Sequence, residues 1–110
     1  MTNATTKGAA GAAPAVLPRF DLGRMLATPG ALATLAEAGI AALDLLARHA
    51  RGDWGDLEAE DRNANEHAVR SGERLLSAYN VGADRVWVIT EAADDAGRRA
   101  ASTLLLPSEY

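Results

Sequence analysis

The 110-residue chain reads as an α+β domain in which N-terminal helices pack on a small antiparallel β-meander of three to four strands. Three observations predict this. Between residues 28 and 72 apolar residues recur at spacings of three and four, punctuated by Gly39, Gly52 and Gly72. After Gly72 the period changes, and two short segments rich in aliphatic, β-branched and aromatic residues follow. Helices first and strands afterwards segregate the two layers.

Residues 1–18, "MTNATTKGAAGAAPAVLP", read as a flexible tail, and residues 19–110 as a single domain. The tail lacks the continuous leucine-rich core of a signal peptide, because Gly8, Gly11 and Pro14 interrupt its alanines. A cytoplasmic location is therefore expected. "RFDLGRMLAT" (19–28) fits a short strand or an irregular lead-in. The first helix is well signed: Thr28 caps it, Pro29 occupies the first turn where its missing N–H is harmless, and Gly39 provides the left-handed stop. Leu32, Leu35 and Ala36 are its expected buried stripe.

"IAALDLLARHARG" follows as a second helix, with Ile40, Leu43, Leu46, Ala47 and Ala50 inward and Gly52 as its end. Arg48, His49 and Arg51 in its last turn suit the negative end of the helix dipole. "GDWGD" is then a turn, since Gly52 and Gly55 allow positive φ and Asp53 and Asp56 bond readily to nearby amides. "LEAEDRNANEHAVRSG" reads as a third helix with acidic residues in its first turn. Its apolar stripe is thin, and Asn63, Glu66, His67 and Arg70 are left on a wet face. "RLLSAY" (74–79) and "RVWVIT" (85–90) form a hairpin through a five-residue loop "NVGAD", with Val86 and Val88 facing one way and Trp87 and Ile89 the other. "STLLLP" (102–107) is a further strand. The polar "EAADDAGRRAA" before it is expected to be a mobile excursion.

Charge narrows the function classes. The formal net charge is −4, and residues 20–110 hold 9 basic against 15 acidic groups, a net of −6. Residues 52–66 carry six carboxylates against Arg62 alone. Nucleic-acid phosphates need a basic face, so a nucleic-acid partner is not expected. No run approaches the roughly 18 apolar residues that span a bilayer. The absence of cysteine excludes disulfides and thiolate metal sites.

The ordered segments "ATPGAL", "HARGDWGDL", "ED", "LLSAY", "VWVITEA" and "LLLPSEY" resemble a family of small proteins encoded on plasmids, phages and other mobile elements, described as plasmid-related proteins or as a type I restriction endonuclease subunit M. The resemblance covers roughly residues 20–110. A methylation subunit needs a doubly wound domain for S-adenosylmethionine and a basic DNA cleft, and a net-negative body of this size provides neither. The chain departs from the family pattern after Ala92, where "ADDAGRRAAS" replaces a short Asp-Arg-Ser segment. The resemblance implies a setting in mobile elements and names no reaction.

The candidate site lies in "HARGDWGDLEAEDRNANEH" (49–67). Its binding reading uses Asp53, Trp54, Asp56, Glu58, Asp61 and Asn65 as a contact surface for a protein partner, with no catalytic residue, metal or cofactor. Acting on a host defence system, as anti-restriction or anti-CRISPR proteins do, fits the implied setting. An alternative is a metal-dependent hydrolase or nuclease using His49, Asp53, Asp56 and Asp61; their spacing matches neither an EF-hand nor a zinc-protease pair. A structural reading gives these residues local roles, with His49 at a helix C-terminus, Asp53 and Asp56 in a turn, Glu58 and Asp61 at a helix start, and Trp54 as a core plug. Ser77 and Tyr79 have no histidine at a spacing that suggests a triad. Unprotected sheet edges also make a homo-oligomer an expectation.

Overall fold

The computed structural model describes residues 17–110, so all but the last two residues of the expected tail lie outside the described residues. The elements run β1 (Arg24–Ala27), α1 (Pro29–Ala38), α2 (Ala42–Ala50), α3 (Ala59–Ser71), β2 (Leu75–Val81), β3 (Asp84–Thr90) and β4 (Ala101–Leu105), with a 3-10 turn at Pro107–Glu109. One mixed sheet has the order β1-β4-β3-β2. The α+β class stands, with two corrections to the expected arrangement. A strand precedes the helices, and it joins β4 in parallel, so the antiparallel meander β2-β3-β4 carries a parallel edge. The segment before Thr28 has no local signal for this pairing, because its partner lies at the far end of the chain.

The first helix forms for the reasons its sequence contains. Thr28 Oγ1 accepts from the Ala31 amide at 3.1 Å. Gly39, at φ 71°, lets its own N–H reach Ala36 O and that of Ile40 reach Leu35 O. The buried faces differ from those expected. In α1 Ala31 and Leu35 are buried while Leu32 is half exposed and Ala36 lies outside. In α2 the buried face is Leu45, Leu46, His49 and Ala50, and Leu43 and Ala47 point to solvent. Leu and Ala occur around both helices, so more than one apolar stripe was available. The stripe of α2 that includes a histidine won because the sheet offers that ring two hydroxyl partners.

The β2–β3 hairpin is tighter than expected. Asn80, Val81 and Asp84 continue the ladder, leaving Gly82 and Ala83 as the turn, with Gly82 at φ 60°. Register then sorts the sheet into two faces. Leu75, Ser77, Tyr79 and Val81 share a face with Val86, Val88 and Thr90, then with Ser102 and Leu104, and none of these is more than 1% exposed. Helices α1 and α2 cover that face, joining Leu35, Leu45 and Leu46 to Tyr79, Val86, Val88 and Leu104. Trp87 and Ile89 turn to the opposite face, as the alternation predicts, together with Leu76 and Ala78. There the chain's last residue supplies cover: Tyr110 meets Trp87 edge to face at 5.7 Å, and Arg74 lies over the Tyr110 ring at 5.4 Å.

The expected excursion between β3 and β4 is instead a closed, hydrogen-bonded turn. Asp94 Oδ1 accepts from the amides of Ala96 and Arg98, each at 2.9 Å, and Ala93 bridges Arg99. The turn carries Arg99 into the protein, where it is 5% exposed.

Candidate functional site

Trp54 turns inward between the two glycines of "GDWGD" and is 3% exposed. It packs with Ala68 of α3 and Leu75 of β2, and stacks on Phe20 at 6.1 Å. Its indole N–H donates to Glu66 Oε2 at 2.9 Å, and Glu66 also takes a two-pronged bond from Arg19 at 2.7 and 2.9 Å. The Arg19 and Trp54 donors hold the Glu66 carboxyl down at about 2. Glu66 is therefore a bracket between α3, the turn and the N-terminal segment, and not part of a free wet face.

The turn also completes the sheet. Ala78 N–H donates to Trp54 O at 3.1 Å and Asp56 N–H donates to Ala78 O at 2.7 Å, which pairs Gly55 with Ala78 as a short parallel bridge. Gly55 sits at φ 77°, and a Cβ there would collide with the Ala78 carbonyl. One step along the same edge, Asn65 of α3 acts as a surrogate strand: its Oδ1 accepts from Leu76 N–H at 3.1 Å and its Nδ2 donates to Leu76 O at 2.7 Å. An exposed β2 edge would be a template for unwanted pairing, and these two devices occupy it at Leu76 and Ala78.

Of the six predicted contact residues, Trp54 and Asn65 thus lie beneath the surface with their polar groups satisfied inside the fold. Asp53 is half-buried, accepting from Arg48 Nε at 2.7 Å and from the Gly55 amide; the Arg48 bond holds its carboxyl below the usual range. Asp56 pairs with Arg85 at 2.6 Å. Glu58 and Asp61 are exposed at the start of α3, beside Glu60. The acidic stretch is thereby reduced by Arg48, just before it, and by Arg19 and Arg85 from distant parts of the chain, which the local count of charges did not include. The cleft outside the turn, about 490 Å³, is lined by Arg48, Asp53, Asp56, Arg62, Tyr79 and Asn80.

The four residues of the metal reading do not come together. His49 is 0% exposed, whereas Asp53 and Asp56 engage separate arginines at the surface. Among the described residues no three His, Cys, Asp or Glu side chains are placed to share an ion.

His49 holds a buried polar chain that sequence spacing did not reveal. Its Nδ1 is 2.6 Å from Ser77 Oγ and its Nε2 is 2.8 Å from Thr90 Oγ1, which in turn is 2.6 Å from Ser102 Oγ. The far end sets the direction. The Leu22 carbonyl can only accept, so Ser102 donates to it at 2.7 Å and must accept from Thr90. Thr90 then accepts from His49 Nε2–H, and His49 Nδ1 accepts from Ser77. Burial, reinforced by the positive charge of Arg99, lowers the His49 pKa to about 4, so the ring is neutral and is not the dipole-matching cation expected at the end of α2.

Arg99 is the other residue that sequence reasoning passed over. Its Nη1 donates to the carbonyls of Glu73 and Glu91 at 2.8 and 2.9 Å, and its Nη2 to Ala68 O at 3.0 Å, tying the end of α3 to the start of β2 and the end of β3. Phe20 lies under the guanidinium at 5.7 Å.

The outer face of the sheet opens into a groove of about 460 Å³ beside α3. Leu76, Ala78 and Trp87 form its floor, Leu57, Asp61 and Ala64 line its wall, and Arg74 and Arg85 stand at its ends. Among the described residues no single helix is long and apolar enough to cross a membrane. No protein-family model, curated protein or solved structure matches the chain.

Proposed function

We propose that this chain is a small, non-enzymatic protein-binding accessory protein of mobile genetic elements that acts in the cytoplasm on a host defence system. The observation that carries the binding reading is the groove along α3, in which an apolar floor centred on half-buried Trp87 is flanked by the charged Asp61, Arg74 and Arg85. An apolar centre with a polar rim, and an aromatic anchor within it, is the anatomy of a protein contact surface. The exposed members of the predicted surface, Asp56, Glu58 and Asp61, lie at the Arg85 end of this groove. The partner segment that suits it brings an apolar side chain to Trp87 and basic groups to Glu58 and Asp61. The setting in mobile elements rests on the sequence resemblance alone.

The test is affinity capture from host extract with the tagged chain, repeated with Trp87→Ala and with Glu58→Gln combined with Asp61→Asn. The reading requires a specific protein that the parent retains and both variants release, confirmed by calorimetry with the purified partner. A partner that binds all three alike places the contact elsewhere.

A further inference from the structure

The two edges of the sheet are finished in different ways. Along β2, the outward backbone groups of Leu76 and Ala78 are all engaged, by the Asn65 side chain and by the "GDWGD" turn. The β1 edge has no such cover among the described residues. Its ladder with β4 uses the backbone of alternate residues, since Arg24 N–H donates to Ala100 O and Thr28 N–H to Leu104 O, each at 3.0 Å. The N–H and C=O groups of Met25 and Ala27 consequently point away from the sheet, and among the described residues they meet no partner. The side chains along this edge are apolar and open, with Met25 55% and Leu26 39% exposed.

We propose that the β1 edge pairs antiparallel with the β1 edge of a second copy, across a two-fold axis, joining two four-stranded sheets into one. The backbone selects the register. Hydrogen-bonded pairs must join residues whose groups face outward, which leaves three symmetric arrangements. Centring on Ala27 sets Met25 opposite Pro29, which has no N–H and already begins α1. Centring on Met25 sets Ala27 opposite Gly23, whose amide is taken by Asp21 Oδ1 and whose φ of 65° departs from extended geometry. Centring on Leu26 sets Met25 opposite Ala27 twice, and every outward N–H and C=O of both strands is then used.

That register also suits the side chains. Leu26 meets its own copy on the axis as a non-hydrogen-bonded pair, the closer of the two antiparallel spacings. Arg24 lies opposite Thr28 of the second copy, so the two arginines occupy opposite ends and no like charges face each other. A partner of different sequence could use the backbone, but the second copy brings a strand that matches all the outward groups and the Pro29 stop.

Sedimentation velocity on the full chain over a wide concentration range is the first measurement, and it should show the mass rising toward twice the 11.5 kDa chain. Ala27→Pro removes an outward N–H and leaves the β1–β4 ladder intact; it should keep the parent's circular dichroism and remain a monomer. Should that variant not fold, Leu26→Asp opposes like charges on the axis and should give the same result. Register is read by cross-linking, because the chain has no cysteine of its own. Under mild oxidation Leu26→Cys should form a disulfide-linked dimer at least tenfold faster than Met25→Cys or Leu32→Cys. A parent that stays monomeric at every concentration, a folded Ala27→Pro that still dimerises, or cross-linking equally fast at the three positions would overturn the proposal.

Discussion

The Nδ1 atom of His49 lies 2.6 Å from the hydroxyl of Ser77, and both residues are 0% exposed. Two residue types that hydrolases use together are here sealed between α2 and β2. A histidine kept neutral in this way makes stability depend on pH. Its folded pKa, about 4, lies below the ordinary value of 6.5, so between those values the unfolded chain binds a proton that the folded chain excludes. The stability it provides is complete above the upper value and is lost as pH falls through the lower one, by about 3 kcal/mol. Urea unfolding from about pH 7 to about pH 4 should show this slope in the parent and a flatter one in His49→Gln, whatever stability that variant has already lost. Nitrogen chemical shifts of the ring should report the Nε2–H tautomer.

Trp54 predicts a contrast within one turn. Truncating a buried indole costs on the order of 3–5 kcal/mol, which is a large part of the roughly 5–15 kcal/mol available to a small domain. Trp54→Ala should therefore melt far below the parent. Glu60→Gln should change almost nothing. Asp53→Asn weakens a half-exposed pair with Arg48 and should cost no more than about 1 kcal/mol. A Trp54→Ala variant that melts with the parent would show that the indole contributes little to the core, despite its 3% exposure.

What the sequence revealed and what it hid separate along physical lines. Thr28, Pro29 and Gly39 act through bonds to their own neighbours, so the first helix was legible to the residue. The strands β2 and β3 were legible because alternation and β-branching are local properties too. Non-local pairings were not. The partner of β1, the hydroxyls that draw His49 inward and the arginines that neutralise Glu66 and Asp56 all depend on which distant segments meet. Asn65 lay within the site predicted from sequence, but nothing nearby announces that a side-chain amide will stand in for a strand.

That surrogate strand is itself testable. Asn65→Asp keeps the size and the acceptor for Leu76 N–H but sets a carboxylate oxygen against Leu76 O, where a donor now sits at 2.7 Å. One bond becomes a repulsion in a site that is 5% exposed. The loss should be at least about 1–3 kcal/mol, the cost of an unsatisfied buried polar group. Reopening the β2 edge should also raise the rate of aggregation, seen as light scattering on mild heating. If Asn65→Asp equals the parent in both respects, the edge does not need its amide.

Among the described residues Arg99 is a charge held without a carboxylate. The residue is 5% exposed, and among the described residues its guanidinium donates to the carbonyls of Glu73, Glu91 and Ala68; burial lowers its pKa. Such a cation is tolerated because those three oxygens, one of them at the negative C-terminal end of α3, together replace its hydration. Arg99→Met removes the charge and its desolvation but takes the donor from the Glu73 and Glu91 carbonyls, while Ala68 O keeps the Gly72 N–H at 2.8 Å. Arg99→Lys keeps the charge, yet one ammonium cannot reproduce the fork that spans α3, the β2 lead-in and the end of β3. Both variants should lose stability, by about 2 kcal/mol or more. Amide hydrogen exchange should locate the loss in the last turn of α3 and in residues 91–101, with β2 and β3 still protected. Uniform loss of protection across the sheet would instead make Arg99 a determinant of the whole core and not a local tie.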